Sequence, residues 1–583
     1  MQEDPEKVTF FAKTNSRGHE MPFGIKRKDR VRHMYVIGKT GMGKSTLLEN
    51  MAIQDIRNGE GVAFIDPHGA TADRLLEYVP EHRIKDVLYF APFDMEYPIA
   101  FNVMEDVGYD KRHLVVSGLL AAFRKIWVDA WSARMEYILS NTLLALLEYP
   151  GSTLLDVNRM LINKGFRKKV VENIKDPVVK AFWTEEFAVY TDRYTQEATP
   201  AIQNKVGQFT SNPLIRNIVG QPKSSFDIRR MMDEKKIIII NLSKGKVGEV
   251  NATLLGSMLV TKIYLAAMSR ADVPAATMAG LPSFYFYVDE FQSFANQSFA
   301  DILSEARKYK LNLIIAHQYV EQMEEEVRDA VFGNVGTTVV FRMGPFDAEV
   351  LETIFMPQFT QTDLVNLGFA QIYLTLMIDG VGSPPFSATT IAPFDDPPQI
   401  FTTQVIENSR KQYGVPRTKV EEDIKKWHEL DAPPPPVPKI RKETTPAPAR
   451  ESFAPPPTLH HPTPEMRHAE AKTVAENVAH KHAIASSKAG PENHHQQQQK
   501  PERPHDERPK NPPLEGATSL RDALASVTAR QAPAAVHAPD LKQTIANVAP
   551  KAAAQSPQPA HIPEAELKQM LAVEEGEDEK NTS

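Results

Sequence analysis

The sequence contains no cysteine, which removes disulfides, thiolate metal ligands and thiol nucleophiles and suits a reducing compartment. It has no excess of positive charge either. With 67 basic side chains against 74 acidic ones, a nucleic-acid footprint over the whole surface is excluded, and any such contact must be local. No signal peptide opens it, since residues 1–7 are polar and acidic and no apolar stretch comes after them. Long apolar runs are scarce. The best membrane-span candidate, residues 252–268, is short and carries Lys262 in its middle, where a charge costs roughly 2.5–3.5 kcal/mol on insertion. We read it as a buried helix of a soluble domain.

Aromatic residues are missing from one region in particular. After Trp427 a single one remains, Phe453, while 24 of the 45 prolines lie beyond residue 431. Such a stretch cannot bury enough apolar surface to offset its ordering entropy, so residues 431–583 are expected to form a disordered Pro/Ala/Gln-rich tail. Inside it, Leu520, Leu524 and Val527, then Leu567, Met570 and Leu571, have helical spacing. They read either as transient helix or as motifs that bind protein partners.

Ahead of the tail, short apolar runs alternate with helical stretches. Strands are expected at residues 34–38, 62–66, 87–90, 237–242, 284–289, 313–317 and 338–342, most of them apolar on both faces. Continuous apolar strands spaced by helices indicate an α/β fold with a mostly parallel sheet covered on both sides. From about 106 to 234 the strand signal vanishes. Residues 114–123, 137–148 and 178–190 read as helices there, which points to an all-α insertion.

Gly38-Lys39-Thr40-Gly41-Met42-Gly43-Lys44-Ser45 matches G-x-x-x-x-G-K-[ST], a phosphate-binding P-loop, and is followed by Thr46 and a run with no helix breaker until Gly59. Glycines let the backbone turn tightly and aim N–H groups at phosphate oxygens, backed by the positive end of the next helix. Lys44 supplies a compact charge for the β- and γ-phosphates of ATP, and the Ser45 hydroxyl can ligate Mg²⁺. Far downstream, the apolar run 284–288 ends in Asp289 and Glu290. Asp289 is the expected Mg²⁺ partner and Glu290 the group that polarises the attacking water. Another apolar run ends in His317 and Gln318. Ligands sit at the carboxyl ends of such strands, so Gln318 is placed to sense the γ-phosphate or orient the water. His317 is read as a capping or packing residue and kept out of the site. Arg307, on the expected helix 301–310, would be a routine solvated charge in most proteins, but in a ring it can face the neighbouring subunit's nucleotide.

With these motifs in place, the chain resembles the conjugative coupling proteins of type IV secretion (the TraD/TraG group) and their relatives HerA and FtsK. The resemblance rests on Arg32-His33-Met34-Tyr35-Val36-Ile37, Ile65-Asp66-Pro67-His68-Gly69, Val288-Asp289-Glu290-Phe291, Ser304-Glu305-Ala306-Arg307-Lys308 and Ala316-His317-Gln318. Phe332-Gly333-Asn334-Val335-Gly336-Thr337 and Phe341-Arg342-Met343-Gly344 add to it, over roughly residues 22–395. It implies a RecA-like P-loop ATPase motor with an inserted all-α domain, assembled as a homohexamer around DNA. It also implies that Arg307 matches the finger donated to the next subunit and that Arg32 matches an arginine reading phosphate within its own subunit. Arg342 is a weaker candidate for that second role.

The domain division expected on this basis is an N-terminal segment (1–21), a first motor part (22–105), the all-α insertion (106–234), a second motor part (235–400), a short helical linker (401–430) and the tail (431–583). The all-α region would meet DNA or the relaxosome. DNA contact is poorly marked in the sequence. Lys164-Gly165-Phe166-Arg167-Lys168-Lys169 reads as a phosphate-gripping patch or, in preference, a solvated helix face, and Lys244-Gly245-Lys246 as a loop lining a channel. Coupling proteins usually carry an N-terminal membrane anchor and none is expected here. The chain would then be cytoplasmic, docked on a membrane secretion-channel partner, or a soluble relative. The functions left open are a DNA translocase for conjugation or secretion, a HerA- or FtsK-like chromosomal DNA pump, and a receptor for protein export in which ATP binding is mainly structural.

Overall fold

The computed structural model describes residues 4–429 except 16–19, 106, 192, 194–197 and 296. The predicted tail and its two helical motifs lie outside the described residues. All seven strands read from the sequence are present and share one sheet. They are β3 (Met34–Ile37), β4 (Gly61–Asp66), β5 (Val87–Phe90), β6 (Ile237–Asn241), β7 (Phe284–Val288), β8 (Leu311–His317) and β9 (Thr337–Val340). They pair in parallel in the order β9-β3-β8-β7-β4-β6-β5. Every residue in them is buried, as expected of strands covered on both faces.

The sheet continues beyond β9 into a flank the apolar-run signal does not show. There β1 (Val8–Thr14), β2 (Pro22–Lys26), β10 (Gln371–Thr375) and β13 (Phe386–Thr390) extend it antiparallel as β10-β13-β1-β2. A two-stranded hairpin, β11 (Met377–Ile378) with β12 (Val381–Gly382), stands apart from it. Strands β2 and β10 alternate buried with exposed or half-buried positions, so each carries only half the apolar signal of a central strand. The first strand belongs to the main sheet through its pairing with β13, so no structural break separates the N-terminal segment from the motor sheet.

Between β5 and β6 the chain is helical, beginning with Arg112–Ile126 and Ala133–Glu148 and ending with Ile228–Asp233. The stretch expected as one helix over 178–190 instead passes through an α turn at Pro177–Ala181, a π segment at Phe182–Glu186 and a 3-10 turn at Phe187–Val189. The aromatic spacing accounts for this. Phe182 and Phe187 are five residues apart, one π turn, and their rings pack at 6.1 Å, with Trp183 against Phe187 at 4.6 Å. The helix expected over 252–268 is Glu249–Met268. Among the described residues it is the one helix long and apolar enough to cross a membrane, and 72% of its most apolar window is buried. It lies against helix Arg112–Ile126 so closely that a Cβ on Gly118 would stand 2.4 Å from Thr261 Cγ2. Glycine there is what permits the approach.

Residues 401–429 form helices Thr402–Tyr413 and Arg417–Glu429, and both are docked rather than free. The Ser409 hydroxyl accepts from the Tyr89 N–H of β5 at 2.9 Å, and Trp427 Nε1 donates to Asp156 Oδ1 at 3.0 Å. Val420 and Ile424 are buried beside Leu155.

Candidate nucleotide site

The carboxyl ends of β3, β8 and β7 stand side by side at one edge of the sheet. The chain leaves β3 through the phosphate loop, and three of its glycines have backbone angles that side chains disfavour: φ is 151° at Gly38, 77° at Gly41 and 113° at Gly43. Gly38 is also sterically required, since a Cβ there would meet Phe341 Cβ at 2.6 Å. Helix Lys44–Arg57 starts immediately after Gly43 with no side-chain cap and no acidic residue in its first turn. Its N–H groups and positive end are therefore available to an anion. The Lys44 ammonium folds back over the loop and donates to the carbonyls of Gly38 at 2.6 Å and Lys39 at 3.1 Å. Burial lowers its pKa, against the opposing pull of Glu290 and Asp289.

The acidic residues arrive from β7, two strands away, and close on the loop. Ser45 Oγ donates to Asp289 Oδ2 at 2.8 Å. Burial raises the Asp289 pKa, the Ser45 hydrogen bond lowers it, and the Glu290 charge adds to the upward shift. Glu290 has left-handed backbone angles, φ 48° and ψ 48°, a conformation that residues with a side chain populate sparsely. Its N–H donates to Asp289 Oδ1 at 2.9 Å.

Gln318, at the end of β8 between the other two strands, bridges them. Its Oε1 accepts from Thr40 Oγ1 at 3.0 Å, and its Nε2 donates to Glu290 Oε1. The loop, the glutamine and the carboxylate thus form one hydrogen-bonded chain. His317 points elsewhere. It is fully buried, its Nδ1 lies 3.2 Å from the Tyr35 hydroxyl, and burial lowers its pKa to about 3. It is a neutral packing histidine.

Two further residues reach the acidic pair, and the sequence motifs gave neither a role there. Gln292 Nε2 donates to Glu290 Oε2, and His68 Nε2 lies 3.8 Å from Glu290 Oε1. Gln292 sits two residues past the acidic pair, and His68 lies within the Asp66-Pro67-His68-Gly69 run. The backbone of that run is held by Asp66, whose carboxylate accepts from the N–H groups of His68 and Ala72. Their proximity to the acidic pair depends on the sheet order, which is not a local property.

The arginines are distributed differently from expectation. Arg32 lies in the turn Arg30–Arg32 before β3, at the edge of the sheet opposite the phosphate loop, and its carbonyl accepts from Gly336 N–H at 2.6 Å. The four residues of β3 separate it from Gly38, about 13 Å of strand. It is therefore not part of this chain's own phosphate site, although it precedes the loop closely in sequence. Arg342 is the arginine brought to the loop, where its carbonyl accepts from Lys39 N–H at 2.8 Å. Arg307 is exposed in the 3-10 turn Ala306–Tyr309 before β8, on the same far edge as Arg32. In the helix Lys164–Asn173, Phe166 is core, and the Arg167 guanidinium is tied to the carbonyls of Met160 and Leu161. Lys164, Lys168 and Lys169 of this run are exposed, on a helix anchored by those two structural residues.

Among solved structures, the chain is similar to the bacterial conjugative coupling protein TrwBdeltaN70, with 14% identity, a TM-score of 0.47, and 68% of this chain and 90% of that one covered. It is similar to the plasmid coupling protein TrwB in complex with ADP and Mg²⁺, at 14% identity and a TM-score of 0.47, over 68% and 98% of the two chains. VirB4 of Thermoanaerobacter pseudethanolicus matches at 13% identity and a TM-score of 0.43, over 69% and 99%. A search of curated protein sequences finds no match. The model of the type IV secretion-system coupling protein DNA-binding domain matches residues 20–353, more than half of the sequence, and the chain belongs to that family.

Proposed function

We propose that this protein is an ATP-driven DNA translocase of coupling-protein type, serving conjugative transfer or type IV secretion. The observation that carries the reading is the connected set Ser45–Asp289 and Thr40–Gln318–Glu290, joined across three adjacent strands at the mouth of a P-loop. A phosphate-binding turn alone would need no carboxylate, and a merely structural nucleotide site would need no carboxylate placed to take a proton.

In this reading the backbone N–H groups of 40–45 and the Lys44 ammonium bind the β- and γ-phosphates. The Lys44 charge, now held by carbonyls, gains a true anionic partner there. Ser45 and Asp289 would hold Mg²⁺, and their 2.8 Å approach fits a small ion that takes few protein ligands and completes its shell with water and phosphate. When bound, that ion would supply positive charge to offset the negative charge of the phosphates. Glu290 accepts the proton of the attacking water, and Gln318, touching both the loop and Glu290, orients that water and registers the γ-phosphate. In a homohexamer Arg307 completes the neighbour's site. Its position on the far edge of the sheet removes it from the site of its own chain and leaves it free to serve another. The helical region between β5 and β6 would cap the ring and meet DNA or the relaxosome, with the chain cytoplasmic and held peripherally at the membrane by a secretion-channel partner.

The test is ATP turnover with and without DNA, using Glu290→Gln alongside the parent. The reading expects DNA to stimulate the parent, and Glu290→Gln to retain bound ATP without hydrolysing it. Parent-like turnover by Glu290→Gln would remove the base assignment.

A further inference from the structure

The segment after Glu290 is gripped from outside the nucleotide site. Lys125 lies in the last turn of helix Arg112–Ile126, at the start of the helical region between β5 and β6. Its Nζ donates to the Gln292 carbonyl at 2.6 Å and to the Ala295 carbonyl. Among the described residues no carboxylate pairs with it. A half-buried ammonium thus donates to two main-chain carbonyls, and desolvation pulls its pKa down to about 8 against the opposing attraction of Glu324.

The residue so held, Gln292, has its own side chain on the acidic pair. Its Nε2 donates to Glu290 Oε2, while its Oε1 is buried with no hydrogen-bond partner among the described residues. The amide is therefore oriented for Glu290 at the expense of its other end. With Gln318 on Oε1 and Gln292 on Oε2, both carboxylate oxygens of Glu290 are occupied by amide donors. Each oxygen keeps a lone pair for a further donor, but the two amides fix the direction in which the carboxylate faces, so it cannot turn toward a water while both hold it.

Room to release it exists. A cavity of about 600 Å³ adjoins the segment and is lined by Lys125, Lys244, Gln292, Ser293, Gln322 and Glu324. Lys244 Nζ donates to Ser293 Oγ at 3.1 Å, so a second lysine, from the helical turn Lys244–Val247 that stands where the sequence suggested a loop, holds the next residue.

We propose that Lys125 and Gln292 are positioning residues that hold Glu290 in a restrained state, and that displacement of the helical region by DNA withdraws Lys125 and frees the carboxylate. This rests on the reading of Glu290 as the base. Lys125 donates to the main chain of Gln292 and Ala295 and acts on Glu290 through Gln292.

The test uses the full chain and three variants, Lys125→Met, Gln292→Leu and the double substitution, with ATP turnover measured with and without double-stranded and single-stranded DNA. The expected result is a rise of about fivefold or more in DNA-free kcat with an unchanged KM for ATP. The ratio of DNA-stimulated to basal turnover should fall toward one, and the double variant should behave like either single one. A parallel fall of both rates, or an unchanged ratio, overturns the proposal by showing that the lysine only supports the fold. Gln292→Leu, which leaves Lys125 in place, decides the matter if Lys125→Met fails to fold. Loss of the underlying reading looks different. Parent-like turnover by Glu290→Gln, or a parent indifferent to DNA, removes both together.

Discussion

The sharpest consequence of the arginine placement concerns Arg307. It precedes β8, and the phosphate loop lies at the other end of that strand's neighbour, so the seven residues of Leu311–His317 put about 23 Å between Arg307 and its own site. At that separation in water a unit charge contributes about 0.2 kcal/mol before screening, and physiological salt reduces this roughly twentyfold. Arg307→Ala acting within one chain should therefore leave hydrolysis unchanged. Acting on a neighbour's γ-phosphoryl, an arginine contributes on the order of 10³–10⁵ in turnover, about 4–7 kcal/mol, while ATP binding hardly depends on it. The two cases differ by orders of magnitude. Arg307→Ala should bind ATP normally, hydrolyse almost none, and keep its thermal midpoint, because the side chain is exposed. Mixing it with Glu290→Gln then separates the models. Each is inactive alone, but a mixed ring contains interfaces where an intact Glu290 faces an intact Arg307, and activity should return. Parent-level turnover by Arg307→Ala, or no recovery despite demonstrated co-assembly, refutes the shared site.

Other outcomes follow from burial and charge. Asp289 has its pKa raised chiefly by burial, so its ionised form destabilises the nucleotide-free fold at neutral pH relative to the unfolded chain. Asp289→Asn should raise the thermal midpoint at pH 7 while abolishing Mg²⁺-dependent turnover, and the stability gain should vanish at pH below the ordinary carboxylate range. Buried His33 and His317 have pKa values lowered to about 4 and about 3 from 6.5. Each takes a proton on unfolding below pH 6.5, so each should cost about 1.4 kcal/mol of stability per pH unit from there down to its folded value. Denaturant titrations of His317→Gln between pH 6 and 4 should show a slope shallower by that amount. Truncation after residue 436 should leave turnover and stability unchanged, whereas truncation after 415 removes buried Val420 and Ile424 and should cost up to about 3–6 kcal/mol.

Much of this architecture was legible because its signals are local. Strands β3 to β9 are runs of Val, Ile, Phe and Tyr buried on both faces, and the phosphate loop is a contiguous motif. The antiparallel flank was not legible, because β2 and β10 hide only about half their residues and β1 finds its partner β13 at the other end of the described chain, as Ala12 opposite Thr390. The 401–429 helices read as a linker because they are charged on most sides, yet Ser409, Val420, Ile424 and Trp427 suffice to dock them. Gln292 and His68 join the acidic pair through loops whose course depends on strand order. Arg32 shows the converse. It stands six residues before Gly38 in sequence, but a strand carries the chain across the sheet between them, so closeness in sequence became distance in space.

The central claim is that ATP hydrolysis at this site moves the protein along DNA. The most direct measurement is displacement of streptavidin from the biotinylated end of a DNA duplex or single strand by the full chain. The predicted result is displacement that requires ATP and is absent with Glu290→Gln, which still binds both ATP and DNA. Steady ATP hydrolysis at one rate with or without DNA, and no displacement by a protein shown to be bound to that DNA, would contradict it.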